Sequence, residues 1–276
     1  MPRKSALPFL LEPLDPRFVG AKPKHSVHES VVTRLEQEEN AIFTRKRDGY
    51  CFYVVIGKNH NVRLYTRGIQ DVTDRFPHLI PEFRQFPANT FLSTEAVVTK
   101  NNIDDTEPFT QVMKIKPPFK NEFYAYARET HCTIFGLNIY QGKNVIEIPH
   151  RERFELIYNM FSRLSLAPQF LSPLHTLKCS FADAKNMVKE NHWEGLVIYD
   201  ATKHSDYRLD AKIKLPPRPL GCWKWKPFFE DDFIVRRWAY GTGSNKNRMG
   251  KLYLSQIHPE TGKEISCGEV GGGFSY

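Results

Sequence analysis

Three segments of the chain place their apolar residues at helical spacing. Residues 25–39 carry valine and leucine four positions apart, which predicts a helix with Ser26 as a candidate N-cap. Residues 150–165 place large apolar side chains on one face of a second predicted helix. Ser180 and Asp183 have the spacing of a capping pair and precede a third run of helical apolar positions. The pattern therefore predicts three amphipathic helices.

Other segments are rich in aromatic and β-branched residues, as strands are. Residues 50–66 contain two such runs around a polar turn and predict an antiparallel hairpin. Further strands are predicted at 91–98, 131–140 and 193–200. The stretch 101–120 is polar and contains proline, which is typical of a loop. Helices and strands in this order predict an α+β fold.

The character of the sequence changes after residue 227. An acidic segment is followed by short apolar runs that glycine interrupts, and this change predicts a domain boundary between residues 1–227 and residues 228–276. The second part has room for two or three strands, whereas an OB barrel has five. As a β-barrel, the predicted second domain is therefore incomplete.

The composition narrows the class of protein. The 276 residues include 39 Lys and Arg against 31 Asp and Glu, so the formal net charge is +8. Positive charge attracts polyanions such as nucleic acids when it clusters on one face. The chain has no apolar run long enough to cross a bilayer, and its amino terminus does not have the pattern of a secretory signal. We therefore expect a cytoplasmic protein that is not embedded in a membrane.

The segment TRKRDG carries the first candidate chemistry. The two-residue period of a strand places Thr44, Lys46 and Asp48 on one face. Arg45 and Arg47 then lie on the opposite face. A deprotonated lysine amine is a nucleophile that can attack an α-phosphate. The alternative is a surface lysine in a charged hairpin, which this segment alone does not exclude.

Two further fragments contain charged residues in apolar surroundings. Strand alternation places Lys224 and Lys226 on one face and two tryptophans on the other, which suits binding of phosphates. The alternative is a solvated strand edge. Glu95 and Glu194 each lie in an apolar strand, where a carboxylate requires a partner, and they are candidates for ribose or Mg²⁺ contacts. A structural ion pair is the alternative for either glutamate.

These fragments, in this order, resemble the covalent nucleotidyltransferase superfamily of ATP-dependent DNA ligases, RNA ligases and mRNA capping enzymes. The segment KRDG is similar to the superfamily's KxDG motif, which implies that the catalytic nucleophile Lys46 becomes adenylylated. The resemblance implies ATP binding by Thr44, Asp48, Arg67, Glu95, Phe135, Lys224 and Lys226. It also implies that Mg²⁺ is bound by Glu194 and Glu95.

The second domain favours the DNA ligase branch, in the small form found in phages and viruses. Its glycine-containing segments resemble the opening half of a ligase OB domain, which implies contacts of Lys246, Arg248 and Lys251 with nicked duplex DNA. The implied fold is an ATP-grasp-like, antiparallel-sheet adenylyltransferase domain followed by a partial OB fold. The implied reaction passes AMP from the lysine to a 5′-phosphate, after which a 3′-hydroxyl displaces AMP. An RNA ligase, a GTP-using capping enzyme and a catalytically silent nick-binding subunit are the alternatives.

Several positions depart from the pattern of the superfamily. Cys51 stands where DNA ligases usually have an arginine, Gly136 replaces an aspartate, and Tyr199 replaces a lysine or arginine. The sequence ends at Tyr276, before the rest of the barrel and a terminal basic motif. We therefore expect either a truncated form or a second polypeptide that completes the OB domain.

Overall fold

The computed structural model describes residues 18–20, 22–24, 27–116, 118–204, 207–209, 221–227, 232–243 and 246–271. The chain divides into two compact units, Met1–Pro227 and Phe228–Tyr276. The division lies at the residue where the character of the sequence changes. Among the described residues, no helix combines the length and the apolar character that crossing a membrane requires.

The first unit contains six helices and thirteen strands in its described residues. The helices are α1 (Glu29–Gln37), α2 (Ile80–Phe83), α3 (Thr106–Lys114), α4 (Asn121–Ala127), α5 (His150–Ser162) and α6 (Phe181–Glu190). The strands are β1 (Phe18–Gly20), β2 (Ala41–Lys46), β3 (Tyr50–Ile56), β4 (Val62–Thr66), β5 (Thr90–Lys100), β6 (Ile103–Asp105), β7 (Thr130–Tyr140), β8 (Lys143–Asn144), β9 (Leu171–Pro173), β10 (Thr176–Leu177), β11 (Gly195–Asp200), β12 (Tyr207–Leu209) and β13 (Cys222–Trp225). The predicted helices, hairpin and strands are confirmed, with shifted ends.

The larger sheet of the first unit has seven strands in the order β4-β3-β5-β7-β8, with β6 paired to β5 and β9 paired to β7. Its pairings are antiparallel except for that of β7 with β9. Strand β3 is buried on both faces: Phe52 and Val54 join the main core. Tyr53 and Val55 join a smaller apolar cluster on the other face. Helices α3, α4 and α5 contribute apolar residues to the main core and so cover one face of this sheet.

The second sheet of the first unit has four antiparallel strands in the order β10-β2-β11-β13. One face packs against α1 and α6, where Phe43 and Ile198 meet Phe181 in a separate core. Trp223 and Trp225 pack against this core, as strand alternation predicts. The opposite face of β2, β11 and β13 is turned toward the main core of the seven-stranded sheet. The two sheets therefore enclose the space in which the predicted lysines lie.

Two of the sequence predictions need correction. The stretch 101–120 is not a loop, because it contains β6 and α3. Asp105 caps α3 by accepting from the Glu107 amide at 3.1 Å, and Pro108 stands in the first turn, where its missing N–H leaves no hydrogen bond unmade. Helix α1 begins at Glu29 with His28 as its N-cap. The predicted cap, Ser26, lies outside the described residues.

The described part of the second unit is a three-stranded antiparallel sheet of β14 (Ile234–Tyr240), β15 (Met249–Ile257) and β16 (Glu264–Val270). Register places Trp238, Leu252 and Val270 side by side on one face. Trp238 is 52% exposed and Val270 is 43% exposed, so this apolar face lacks a core within the described residues. A second polypeptide that completes the barrel stays a prediction.

Candidate active site

The segment that carries Lys46 joins the two sheets of the first unit. Strand β2 ends at Lys46 in the four-stranded sheet, and β3 begins at Tyr50 in the seven-stranded sheet. Gly49 lies between them, where an added Cβ would stand 2.3 Å from the Ala96 carbonyl oxygen and 2.6 Å from a methyl group of Val97. Glycine is therefore required because the loop passes directly over strand β5.

Glu194 contacts the lysine nucleophile that the motif predicts. Residue Gly195 pairs with Lys46 across β11 and β2, and this register brings the preceding side chain to the end of β2. Glu194 accepts from Lys46 Nζ through Oε2 and pairs with Lys226 Nζ through Oε1. Partial burial acts to raise the pKa of Glu194, but hydrogen bonds from Lys226 and Lys46 outweigh it and lower the pKa. The carboxylate is therefore held ionised between two ammonium groups.

Gly195 makes this approach possible. Its φ is +151°, and an added Cβ would lie 2.1 Å from the Trp225 carbonyl oxygen. Strand β13 therefore passes too close to β11 for any side chain at this position. Because Lys226 follows Trp225 directly, the same close approach brings its ammonium group to Glu194.

The predicted face of β2 is only partly confirmed. Thr44 is buried and donates its hydroxyl to the Val197 carbonyl at 3.2 Å, on the same strand face as Lys46. Asp48 lies beyond the end of β2, so strand alternation does not place it. Its pKa is nevertheless raised, first by burial and then by the nearby Glu194 carboxylate. Asp48 therefore belongs to the same electrostatic cluster without sharing the strand.

A cavity of about 340 Å³ opens beside Lys46, which lies within the usual size of a small-molecule site. Six of the eight residues predicted to react with or bind ATP line it: Thr44, Lys46, Arg67, Glu95, Phe135 and Lys224. The other two, Asp48 and Lys226, are not among the lining residues and contact the cluster around Glu194 instead. The structure thus brings together residues from five strands and the turns that follow them.

Cys51 stands where DNA ligases usually have an arginine, and another arginine, Arg67, lies beside it. Cys51 faces Glu95 across β3 and β5, and burial raises the pKa of its thiol to about 11, so the thiol is neutral. Arg67 hydrogen-bonds both Cys51 and Tyr53. The guanidinium that follows β4 therefore supplies positive charge beside the thiol. The sequence patterns did not identify Tyr53 as a site residue, although it lies two residues after Cys51 and so shares its strand face.

Glu95 is a carboxylate whose pKa is raised above its ordinary value. Burial raises its pKa to about 7, although the positive charges of Arg67 and Lys46 act against this shift. Its pKa also responds to the charges of Glu194 and Asp48. The negative charges of Glu194 and Asp48 therefore act in the same direction as burial and favour the protonated form of Glu95.

The other two positions that depart from the superfamily pattern, Gly136 and Tyr199, are closely packed. Gly136 lies opposite Ser93, and an added Cβ would stand 3.0 Å from the serine Cβ, which leaves little room for an aspartate. Tyr199 is buried against the rings of His150 and Phe154, with ring centres 4.8 and 5.1 Å apart. A charged side chain at Tyr199 would lose its hydration there. The floor of the cavity is therefore aromatic at this position.

The carboxylates fit a magnesium ion only in combination with a phosphate ligand. No group of three or more His, Cys, Asp or Glu side chains with metal-binding geometry occurs in the described parts of the chain. Mg²⁺ prefers oxygen ligands and is commonly held by one or two carboxylates together with substrate phosphates and water. Glu95 and Glu194 provide two such carboxylates beside the cavity. The donor set therefore fits a metal that arrives with a nucleotide.

The residues predicted to bind DNA lie in the second unit. Lys246 and Arg248 are exposed in the connection between β14 and β15. Lys251 lies in β15, where its ammonium pairs with Glu269 at 2.6 Å and lies 5.8 Å from the centre of the Tyr253 ring. The three cations are therefore in or next to one strand connection and are available to solvent.

Comparison with known proteins identifies the family. A family model described as "ATP dependent DNA ligase domain" matches residues 21–215. A probable DNA ligase of Persephonella marina is 24% identical over 222 residues, which is 79% of this chain and 38% of that protein. A DNA ligase of Methanococcus maripaludis is 23% identical over 286 residues, which is 96% of this chain and 47% of that protein. The chain thus spans less than half the length of these curated relatives.

Solved structures show the same fold. The ligase domain of LigD from M. tuberculosis superposes with a TM-score of 0.58 and 20% identity, covering 94% of this chain and 74% of that chain. The ATP-dependent DNA ligase of bacteriophage T7, solved in complex with ATP, has a TM-score of 0.57 at 15% identity. The match to the phage structure covers 90% of this chain and 80% of the phage protein. The predicted α+β ligase fold is confirmed, and because the family match covers most of its length, the chain belongs to the ATP-dependent DNA ligase domain family.

Proposed function

We propose that the chain is the catalytic core of an ATP-dependent DNA ligase that seals nicks through a covalent lysyl-AMP intermediate. One observation carries the proposal: Lys46 Nζ stands at a cavity of about 340 Å³, in contact with Glu194 and beside the other predicted ATP contacts. Family membership and the names of the curated relatives support the DNA branch over RNA ligases and capping enzymes.

The proposed first step attaches AMP to Lys46. The ammonium group loses a proton to water, and Nζ, which the contacting Glu194 carboxylate orients, attacks the α-phosphorus of ATP. A nitrogen–phosphorus bond forms while the bond to the pyrophosphate oxygen breaks. Arg67 and Lys224, which line the cavity, offset negative charge on the phosphates. The aromatic ring of Phe135 offers the adenine a stacking surface.

The proposed later steps use the same cavity. The 5′-phosphate of a nick attacks the phosphorus of lysyl-AMP and releases the lysine, and the 3′-hydroxyl then displaces AMP to form the phosphodiester bond. Lys226 and Glu194 remain beside the reacting phosphorus and hold opposite charges near it. Mg²⁺, when bound, supplies further charge neutralisation on the phosphates. We propose Glu194 and Glu95 as its ligands from this chain.

The proposed DNA contacts lie in the second unit. Lys246 and Arg248 are exposed and Lys251 is partly exposed, and cationic side chains at a surface bind the phosphate backbone without reading sequence. They supply affinity for a duplex, whereas the chemistry depends on the first unit. Nicked duplex DNA is therefore the proposed partner.

Intact-protein mass spectrometry after incubation with ATP and Mg²⁺ tests the proposal. We expect one added AMP, mapped by peptide sequencing to Lys46 and absent from Lys46→Met. Lys58→Met, in the exposed turn between β3 and β4, is the matched control and is expected to label normally. Labelling by GTP alone would indicate a capping enzyme, and nick binding without any label would indicate a silent subunit.

A sealing assay with labelled nicked duplexes then separates DNA ligase from RNA ligase activity. We expect sealing of an all-DNA nick and slower sealing when either strand flanking the nick is RNA. Preference for an RNA nick would contradict the proposal while leaving the lysyl-AMP chemistry intact.

A further inference from the structure

Two arginines at the end of β2, Arg45 within the strand and Arg47 just beyond it, share one carboxylate. Arg45 Nη2 lies 3.0 Å and Arg47 Nη2 lies 2.8 Å from the same oxygen, Oδ1 of Asp104. Only 5% of the Asp104 side chain is exposed. Lys46 stands between the two arginines in sequence but contacts Glu194 instead. The carboxylate therefore pairs with both sequence neighbours of the nucleophile.

Asp104 also holds the loop that follows the nucleophile. Its second oxygen, Oδ2, accepts from the Asp48 backbone amide at 3.0 Å. This amide belongs to the segment that crosses from the four-stranded to the seven-stranded sheet. One side chain thus binds all three residues that flank Lys46 between positions 45 and 48.

The anchor itself belongs to the seven-stranded sheet. Asp104 lies in β6 and pairs with Thr99 of β5. Arg47 also donates to the Thr99 hydroxyl at 2.9 Å, and Arg45 donates to the Asn102 carbonyl at 3.2 Å. Asn102 has a φ of +63°, which belongs to the tight turn of the hairpin. The β5–β6 hairpin therefore fixes the end of β2 through a set of polar contacts.

We propose that Asp104 is a positioning residue for the Lys46 nucleophile. It fixes the strand end and the following loop so that Nζ is directed into the cavity, while Asp104 itself does not line the cavity. The inference rests on the proposed function, because it concerns the same lysine, and no motif resemblance contains this aspartate. Its sequence signal is weak, since Asp104 lies in a polar stretch that reads as a loop.

Charge explains why a carboxylate is needed at this position. Burial lowers the pKa of Arg45, the charge of Arg47 lowers it further, and Asp104 opposes both effects. Without the carboxylate, two partly buried guanidinium groups repel each other at the end of β2. The strand end must then shift or twist to separate them. Because a displacement of about 1 Å in a reacting group can slow a reaction on the order of 10²-fold, a small shift is enough.

The test measures the rate of lysyl-AMP formation in a single turnover as ATP is varied. For Asp104→Asn, which keeps the shape and removes the charge, we expect a maximal rate reduced roughly 10- to 100-fold. The half-saturating ATP concentration should change less than about threefold, because the residues around the nucleotide are retained. Asp104→Glu restores the charge and should recover part of the rate. A normal maximal rate in Asp104→Asn would overturn the proposal.

The neighbouring aspartate provides the matched control. Asp105 caps α3 by accepting from the Glu107 amide, so Asp105→Ala should lower the thermal midpoint. Its maximal rate of adenylylation should stay within about threefold of the unmodified protein. Loss of rate in both variants, in proportion to their loss of stability, would show a merely structural role and contradict the proposal.

A second measurement does not depend on activity. Hydrogen exchange of the Asp48 amide reports directly on its bond to Asp104. We expect faster exchange of this amide in Asp104→Asn and unchanged exchange in Asp105→Ala. If the unmodified protein forms no lysyl-AMP, the proposed function fails, and exchange alone decides whether Asp104 orders the segment. Unchanged protection at Asp48 would then overturn the positioning role.

Discussion

The two units hold their charged side chains in different surroundings. In the first unit, Lys46 and Glu194 form a pair whose side chains are only 22% and 17% exposed. In the second unit, Arg236 and Glu264 form a pair whose side chains are 48% and 39% exposed. Exposed pairs contribute at most about 1 kcal/mol, whereas pairs withdrawn from water interact more strongly and hold one geometry. The first unit therefore holds its charged side chains in fixed orientations, whereas the second exposes its charged side chains to solvent.

Removal of the Glu194 charge tests this contrast where the expected effect is largest. Glu194→Gln leaves Lys46 and Lys226 facing each other without an anion, in a site partly closed to water. Because the variant removes the charge that orients both ammonium groups at the site of reaction, we expect nick sealing to slow on the order of 10²- to 10³-fold. Quench-flow assays of sealing would measure the rate.

Glu190→Gln is the matched control for this change. Glu190 is the exposed last residue of α6, four positions before Glu194. We expect it to alter sealing less than about twofold. Equal losses in both variants would mean that the strong pairing in the first unit does not direct the chemistry.

Two glycines, one in each unit, allow the units to be compared by the free energy of unfolding. Gly195 combines a φ of +151° with a carbonyl oxygen 2.1 Å from the position of an added Cβ, whereas Gly262, with a φ of +63°, has open space around it. We expect Gly195→Ala to lower the free energy of unfolding by about 3 kcal/mol, through backbone strain and overpacking. Gly262→Ala should lower it by about 1 kcal/mol, through backbone strain alone.

Urea unfolding followed by circular dichroism at a single pH would measure both variants. Since the two units can unfold separately, tryptophan fluorescence should be recorded as a second probe. A larger loss for Gly262→Ala than for Gly195→Ala would contradict the account of strand packing at the active site.

Much of this site could be predicted from the sequence because its motifs have a fixed local form. The alternation of β13 correctly places its tryptophans in the core. The α+β class also follows from the order of apolar patterns. These features depend on residues close together in sequence or on strand period alone.

What the sequence does not reveal depends on residues that meet only in the folded chain. Asp104 was hidden because α3 and β6 occupy a polar, proline-containing stretch, where the Asp105 cap was the informative signal. The partners of Arg67 and the ring contacts of Tyr199 arise from separate strands and helices. Asp48 was misplaced because the strand ends two residues earlier. Strand period has no meaning once the chain leaves the sheet.

The pH dependence of stability offers a smaller effect in the first unit. Burial, together with the charges of Arg153 and His204, lowers the pKa of His150 to about 2. The folded protein therefore keeps His150 neutral, while the unfolded chain binds a proton below its ordinary pKa of about 6.5. Stability is complete above that pH and is lost as the pH falls below it. Between pH 7.5 and 5.5 we expect a loss of about 1.4 kcal/mol from this group.

His150→Gln should remove this component of the pH dependence. The amide can still accept the hydrogen bond that Arg153 makes to His150 Nδ1 at 2.8 Å. Unfolding free energies from urea titrations at the two pH values give the comparison. If the variant loses as much stability as the unmodified protein on acidification, His150 is not the group that responds.

The smallest effects are expected for the exposed cations of the second unit. Lys246→Gln and Lys251→Gln should each weaken binding to a nicked duplex several-fold and lower the slope of log affinity against log salt by about 1. The larger of the two losses should belong to Lys251→Gln, because Glu269 then loses its 2.6 Å partner and repels the DNA. Fluorescence anisotropy over a range of salt concentrations would measure both.

Lys263→Gln removes the same charge from the opposite end of β15, in the connection to β16, and is the control for non-specific attraction. If all three variants weaken binding equally, the net charge of the unit attracts DNA and no particular face is used. If only the first two do so, the connection between β14 and β15 faces the phosphates. Their combined loss should then be additive, because exposed charges act independently, whereas changes within the Lys46, Glu194 and Lys226 cluster should not add.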